Sequence, residues 1–178
     1  MPRSNDNEQH DVRLKDMHEL LGYEVRDLLS AEKQLVDALP KMARAASNGQ
    51  LAKAFEDHLE ETKGHVDRLE TVCEKLGIDA PGETCEAMQG LIDEGEEIIQ
   101  ARGDDAVRDA ALIAAAQRVE HYEMAGYGAA RSFARHLGRN DVADLLQQTL
   151  DEEGAADSRL TELAIDWVND RAVQEAHG

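Results

Sequence analysis

Leucines recur at seven-residue intervals near the start of the chain, at Leu14, Leu21, Leu28 and Leu35, with mostly polar residues between them. That spacing keeps one face of an α-helix apolar, so it predicts a first long helix from about Asp11 into the Ala45–Ala46 region. Pro40 falls inside it and is expected to kink the helix or end its regular part. Ser47 followed by Gln50 reads as a capping box, opening a second helix that runs to Leu76 and closes at Gly77. Residues 77–83 read as a loop, and residues 84–101 as a shorter amphipathic helix. Asp104 can cap a third long helix that continues to Leu137 and stops at Gly138. Asn140 can cap a fourth, running to about Val173.

Two pairs of long helices joined by a connection with its own short helix define a topology. An up-down-up-down bundle needs only tight loops, whereas ferritin-like bundles use one long crossover between their second and third helices. The pattern therefore predicts an all-α, ferritin-like four-helix bundle, with a flexible tail at 1–10 and one domain at 11–175. At 1.5 Å per residue the long helices would span roughly 40–50 Å, a length that only mutual burial of their apolar stripes can hold.

Charged residues interrupt those stripes. In the first helix the row His18, Val25, Glu32, Leu39 puts Glu32 on the buried seam. The fourth helix reads Val142, Leu146, Thr149, Glu153, Ala156, Leu160, Leu163, Trp167, with Glu153 mid-seam and Asp157 bordering it. The second reads Leu51, Phe55, His58, Thr62, His65, Leu69, and Glu61 lies beside it. The third offers Glu123 on its seam and Glu120 on the adjoining row with Ile113 and Tyr127. Each long helix is thus expected to direct at least one acid inward near its middle. Burying an unpaired carboxylate costs several kcal/mol, and grouped acids repel one another. Two bound cations would resolve the conflict, and a carboxylate-rich site with imidazole suits iron or manganese. Within it His58 is expected to be packed or hydrogen-bonded, and His65, four residues after Glu61, to coordinate.

Composition narrows the function further. Lys and Arg number 19 against 38 Asp and Glu, a formal charge of −19, which repels phosphate backbones and anionic membranes and attracts cations. Neither nucleic acid nor membrane is an expected partner. Aromatic residues make up only 3%, and little in the chain favours a sheet. Cys73 and Cys85 form no CxxC pair, and no apolar run is long enough for a membrane span, so a cytoplasmic location is expected. No Gly-rich phosphate loop, HExxH motif or EF-hand spacing occurs. The small residues Gly126, Gly128, Ala129 and Ala130 permit close helix approach, inside the bundle or against a second subunit.

The stretches LLSAEKQLVDALPKMARAAS, HLEETKGHVDRLE, RDAALIAAAQRVEHYEMAGYG and LLQQTLDEEGAADSRLTELA resemble the YciE/YciF-type ferritin-like proteins, over nearly the whole chain after about residue 15. The resemblance implies a rubrerythrin-like bundle, a homodimer, a dinuclear metal site and a part in bacterial stress responses. By position it makes Glu32 the ligand of the first helix, Glu61 the bridging acid of the second, Glu120 that of the third and Glu153 that of the fourth. Di-iron bundles generally use Glu-x-x-His, but Gly64 and Ala156 stand at those places here, and His65 and Asp157 lie one residue further on. The expected metal set is thus Glu32, Glu61, His65, Glu120, Glu123, Glu153 and Asp157. It would hold two iron ions, or manganese, that react with oxygen or peroxide in ferroxidase- or peroxidase-type chemistry, or that are sequestered under stress. The rival reading is a non-catalytic acidic stress protein whose metal site is structural or vestigial.

Overall fold

The computed structural model describes residues 14–80 and 82–175, so the expected tail at 1–10 and the first residues expected in the opening helix lie outside it. The described residues form α1 (Met17–Ala45), α2 (Gly49–Leu76), α3 (Glu86–Gln100), α4 (Asp105–His136), α5 (Asn140–Leu163) and α6 (Asn169–Glu175), with a π-turn at Ala164–Val168 between the last two. Among these residues no helix is long and apolar enough to cross a membrane.

Local chemistry explains most boundaries. Asp16 caps α1 by accepting the Glu19 N–H at 2.9 Å. The helix continues through Pro40 to Ala45, because Leu39 and Met42 on either side are buried and hold it against the core. The start of α2 differs from the expected capping box. Asn48, not Ser47, accepts the N–H groups of Gln50 and Leu51. Ser47 is drawn away to Asp109 of α4, to which it donates from its backbone N–H at 2.9 Å and its hydroxyl at 2.7 Å. Both α2 and α4 end in the same way, with Gly77 (φ 67°) and Gly138 (φ 72°) in the left-handed conformation. Ile78 N–H and Arg139 N–H then reach back to Cys73 O and Ala134 O at 3.1 and 2.9 Å. Asp104 caps α4 as expected. Asn140 is the first residue of α5, and no side chain caps that end.

The π-turn corrects the expected seam of the last helix. Asn169 N–H bonds to Ala164 O, five residues back, and this extra residue shifts the helical register. Val168 enters the core at 2% exposure, while Trp167 is turned out at 58%.

Buried apolar side chains gather in two clusters. One contains Leu35 and Leu39 of α1, Leu51 and Phe55 of α2, Leu112 and Ile113 of α4 and Leu160 of α5. The other contains Leu21 and Val25 of α1, Leu69 and Val72 of α2, Tyr127 and Ala134 of α4 and Val142 and Leu146 of α5. Residue numbers rise from the second cluster to the first in α1 and α5, and from the first to the second in α2 and α4. The helices therefore run up, down, down, up, and α3 belongs to the long crossover that joins the two parallel middle helices. This is the ferritin-like arrangement. Gly126 serves the close approach inside the bundle, since a Cβ there would lie 2.9 Å from Leu28 Cδ2, while a Cβ on Gly128 would meet nothing within 4 Å.

Asp109 ties the α1–α2 turn to α4. Its carboxylate is 2% exposed and also accepts the Asn48 N–H at 2.7 Å. Replacing Asp109 with Ala should cost about 3 kcal/mol, because the donors it holds would be left unpaired against the core. Urea denaturation will measure this, and a loss below ~0.5 kcal/mol would show that the turn does not depend on Asp109.

Candidate metal centre

Between the two apolar clusters lies a polar layer, one or two turns deep on every long helix. It contains Glu32 of α1, His58, Thr62 and His65 of α2, Glu120 and Glu123 of α4, and Thr149 and Glu153 of α5, all buried. The periodicity places them there. Each sits on the stripe that faces inward on its helix, where mostly apolar residues occupy the neighbouring turns.

The ligand-bearing atoms fall into two groups. His58, Glu120, Glu123 and Glu153 can each offer an atom to one point, as can Glu32, His65 and Glu153, with the atoms of each group within 4.8 Å of one another. Glu153 is common to both. His58 Nε2 lies 3.4 Å from Glu120 Oε1 and 3.8 Å from Glu153 Oε2. His65 Nδ1 lies 2.9 Å from Glu153 Oε1 and 3.3 Å from Glu32 Oε1.

Each imidazole turns its other nitrogen outward to a carboxylate. His58 Nδ1 is 3.4 Å from Glu61 Oε2, and His65 Nε2 is 3.0 Å from Glu152 Oε2. Glu152 is held in turn by Arg68, whose guanidinium donates to it at 2.8 and 3.2 Å. Such outer carboxylates fix the ring orientation and tautomer of a metal-binding histidine and leave the inner nitrogen free to coordinate. On the far side of the layer Tyr127 Oη donates to Glu32 Oε1 at 2.5 Å.

The structure redistributes the expected residues. Glu32, His65, Glu120, Glu123 and Glu153 come together. Glu61 does not: its side chain is 51% exposed and meets only the outer face of His58, because its position on α2 points between the inward rows. Asp157 also stands apart, accepting from Gln117 Nε2 at 3.0 Å and lying 3.3 Å from His121 Nε2. α2 therefore brings two histidines to the layer in place of an acid. His58, expected only to pack, belongs to the larger group. Its seven-residue spacing from His65 on the apolar row was the available signal, since that spacing keeps two residues on one face.

Unpaired polar atoms concentrate in this layer. Glu32 Oε2, His58 Nε2, His65 Nδ1, Glu120 Oε2 and both oxygens of Glu123 and Glu153 are buried without a hydrogen-bond partner. Groups so placed are costly to bury, and it is oxygen and imidazole nitrogen atoms, the donors favoured by iron and manganese, that converge here. The residues fit a pair of such cations.

Electrostatics point the same way. Burial lifts the carboxyls of Glu120 and Glu123 well above the usual range, and lifts Glu32 as well. Burial pushes Glu153 up too, but the His65 imidazole, with Nδ1 2.9 Å from Glu153 Oε1, and the charges of both imidazoles outweigh it and hold the carboxyl low. Burial depresses both histidines, yet facing acids prevail. Glu120, Glu61 and Glu153 raise His58 to about 9, and Glu153 and Glu32 raise His65 to about 10. Without cations the layer is thus neutralised by protons.

Similarity to known proteins agrees with this architecture. Residues 16–173 match the family described as a domain of unknown function, DUF892. Protein YciF of Escherichia coli K12 is 46% identical over 166 residues, which is 93% of this chain and 100% of that protein. The crystal structure of the E. coli stress protein YciF superposes with a TM-score of 0.85 at 48% identity, over 88% of this chain and 99% of that one. YcfI from Rhodopseudomonas palustris gives 0.81 at 41% identity, over 86% and 96%. A Dps protein from Bacillus brevis shares the fold alone, with a TM-score of 0.65 at 16% identity over 85% of this chain and 99% of that one. Matched along nearly its whole length and close to half identical to E. coli YciF, the chain belongs to the DUF892 family.

Proposed function

We propose that this chain is a ferritin-like stress protein that holds two iron or manganese ions in its core and uses them with oxygen or peroxide, or to sequester iron. The carrying observation is that two converging ligand groups share one carboxylate, Glu153, among buried polar atoms that no protein group satisfies. Glu153 would bridge the ions. Glu32 and His65 would complete one side, and His58, Glu120 and Glu123 the other. Such a pair of ions supplies Lewis acidity and, for iron or manganese, a change of oxidation state. The chain's own task is to orient and to exclude water. Glu61 and Glu152 fix the imidazoles, Tyr127 fixes Glu32, and the apolar clusters on both sides keep solvent out. Proton release accompanies binding, since protonated imidazoles and carboxyls cannot coordinate.

The shared ligand gives the variants distinct signatures. Under anaerobic titration with ferrous ions, Glu153→Ala should lose both sites. His58→Ala and His65→Ala should each lose one and keep the other. Glu61→Gln should keep both while weakening the His58 side about 10- to 100-fold. If His58→Ala still takes up the wild-type number of ions, His58 is only a packed residue.

A second expectation concerns pH. The folded metal-free chain holds protons on His58 and His65 up to about 9 and 10, against 6.5 for an ordinary histidine. Stability from these groups is fully present below pH 6.5 and is lost as the pH rises through their raised values. The raised pKa values of Glu120 and Glu123 act in the same direction. The melting temperature of the metal-free chain should therefore fall between about pH 6.5 and 10. Saturating manganese should raise it, and more so at pH 8 than at pH 6. Scanning calorimetry that finds the metal-free value constant or rising across that interval contradicts a layer neutralised by protons.

A further inference from the structure

Beside the polar layer, between α3 and the bundle, lies a cavity of about 40 Å³. Its walls are aliphatic, formed chiefly by Leu35 of α1, Leu91 and Ile92 of α3, and Ala116 and Val119 of α4. At its outer end Lys41 and Glu96 form an ion pair at 2.5 Å, both side chains partly exposed. At its inner end stand His58 and Glu120, both buried, with His58 Nε2 and Glu120 Oε2 unpaired. The cavity thus leads from the surface to one half of the proposed centre.

Its chemistry selects what can use it. An aliphatic wall repels ions, because a charge entering it would lose its hydration without compensation. A volume of 40 Å³ has room for a diatomic or triatomic molecule. Small cavities with largely apolar walls take up uncharged guests. We propose that this cavity binds dioxygen and delivers it to the His58–Glu120 side of the centre, a reading that rests on the metal assignment above. The crossover helix then has a function of its own, as the wall that makes the compartment.

Gly95 of α3 is the control point. It borders the cavity, and a Cβ there would meet nothing closer than Met42 Sδ at 3.9 Å. Gly95→Ala should therefore be accepted unchanged, while Gly95→Leu should fill the cavity without loss of helix propensity. The first test needs no variant: crystals of the metal-free protein under xenon pressure should show a xenon atom between Gly95 and Glu120. In the second, nitric oxide is mixed anaerobically with the ferrous-loaded chain. Gly95→Leu should slow its association at least tenfold, leave ferrous binding unchanged, and differ clearly from Gly95→Ala. A xenon-free cavity, or nitric oxide reaching Gly95→Leu as fast as wild type while ferrous ions still bind, overturns the proposal alone. A wild-type chain that binds no ferrous ions defeats the metal reading and this proposal with it.

Discussion

The structure depends on how a layer of acids and imidazoles is tolerated in the middle of a helix bundle. Four glutamates and two histidines converge from four helices into a region where neighbouring turns carry Leu, Val and Ala. Unpaired, such a group of carboxylates would repel and desolvate at a cost comparable to the whole stability of a domain. The chain meets this constraint by giving Glu153 the imidazoles of His58 and His65, while burial lifts the carboxyls of Glu120 and Glu123 well above the usual range and so favours their neutral form. In the proposed reading, the same arrangement with protons exchanged for cations would form the metal centre. Stability and function are then alternative occupancies of one layer.

Around that layer the remaining structure supplies rigidity. Apolar clusters lie on both sides of it along the bundle, so each long helix is anchored above and below its polar turn. Carboxylates outside the cluster extend the support by holding the outer ring nitrogens, Glu152 through an Arg68 fork and Glu61 at the protein surface. The asymmetry between these two is chemically meaningful: one imidazole is locked by an ion pair, whereas the other is steadied by a half-exposed acid that solvent can reach.

Much of this was legible in the sequence. Heptad leucines, Gly77, Gly138 and Asp104 marked the helices and their ends, and the long interval between the second and third long helices marked the crossover. Glu32, His65, Glu120, Glu123 and Glu153 were recognisable as charges on apolar rows. The differences between expectation and structure have physical causes. Glu61 and Asp157 sit beside the seam, and periodicity cannot tell a residue at the edge of a stripe from one at its centre when the helix rotation is unknown. Ser47 carries the same cap chemistry as Asn48, and only the distant Asp109 decides between them. Trp167 continued the seam by regular spacing, but a π-turn adds a residue and substitutes Val168. Each of these outcomes is set by contacts far apart in the chain, which no local pattern encodes.

The central claim is that two cations share Glu153. An anomalous-scattering crystal structure of the protein soaked anaerobically with ferrous iron tests it most directly. Two iron peaks are expected in the polar layer, about 3.5–4 Å apart, on either side of the Glu153 carboxylate. One set of neighbours should be Glu32 and His65, and the other His58, Glu120 and Glu123. A layer without iron, with peaks only at acids on the surface, would contradict it.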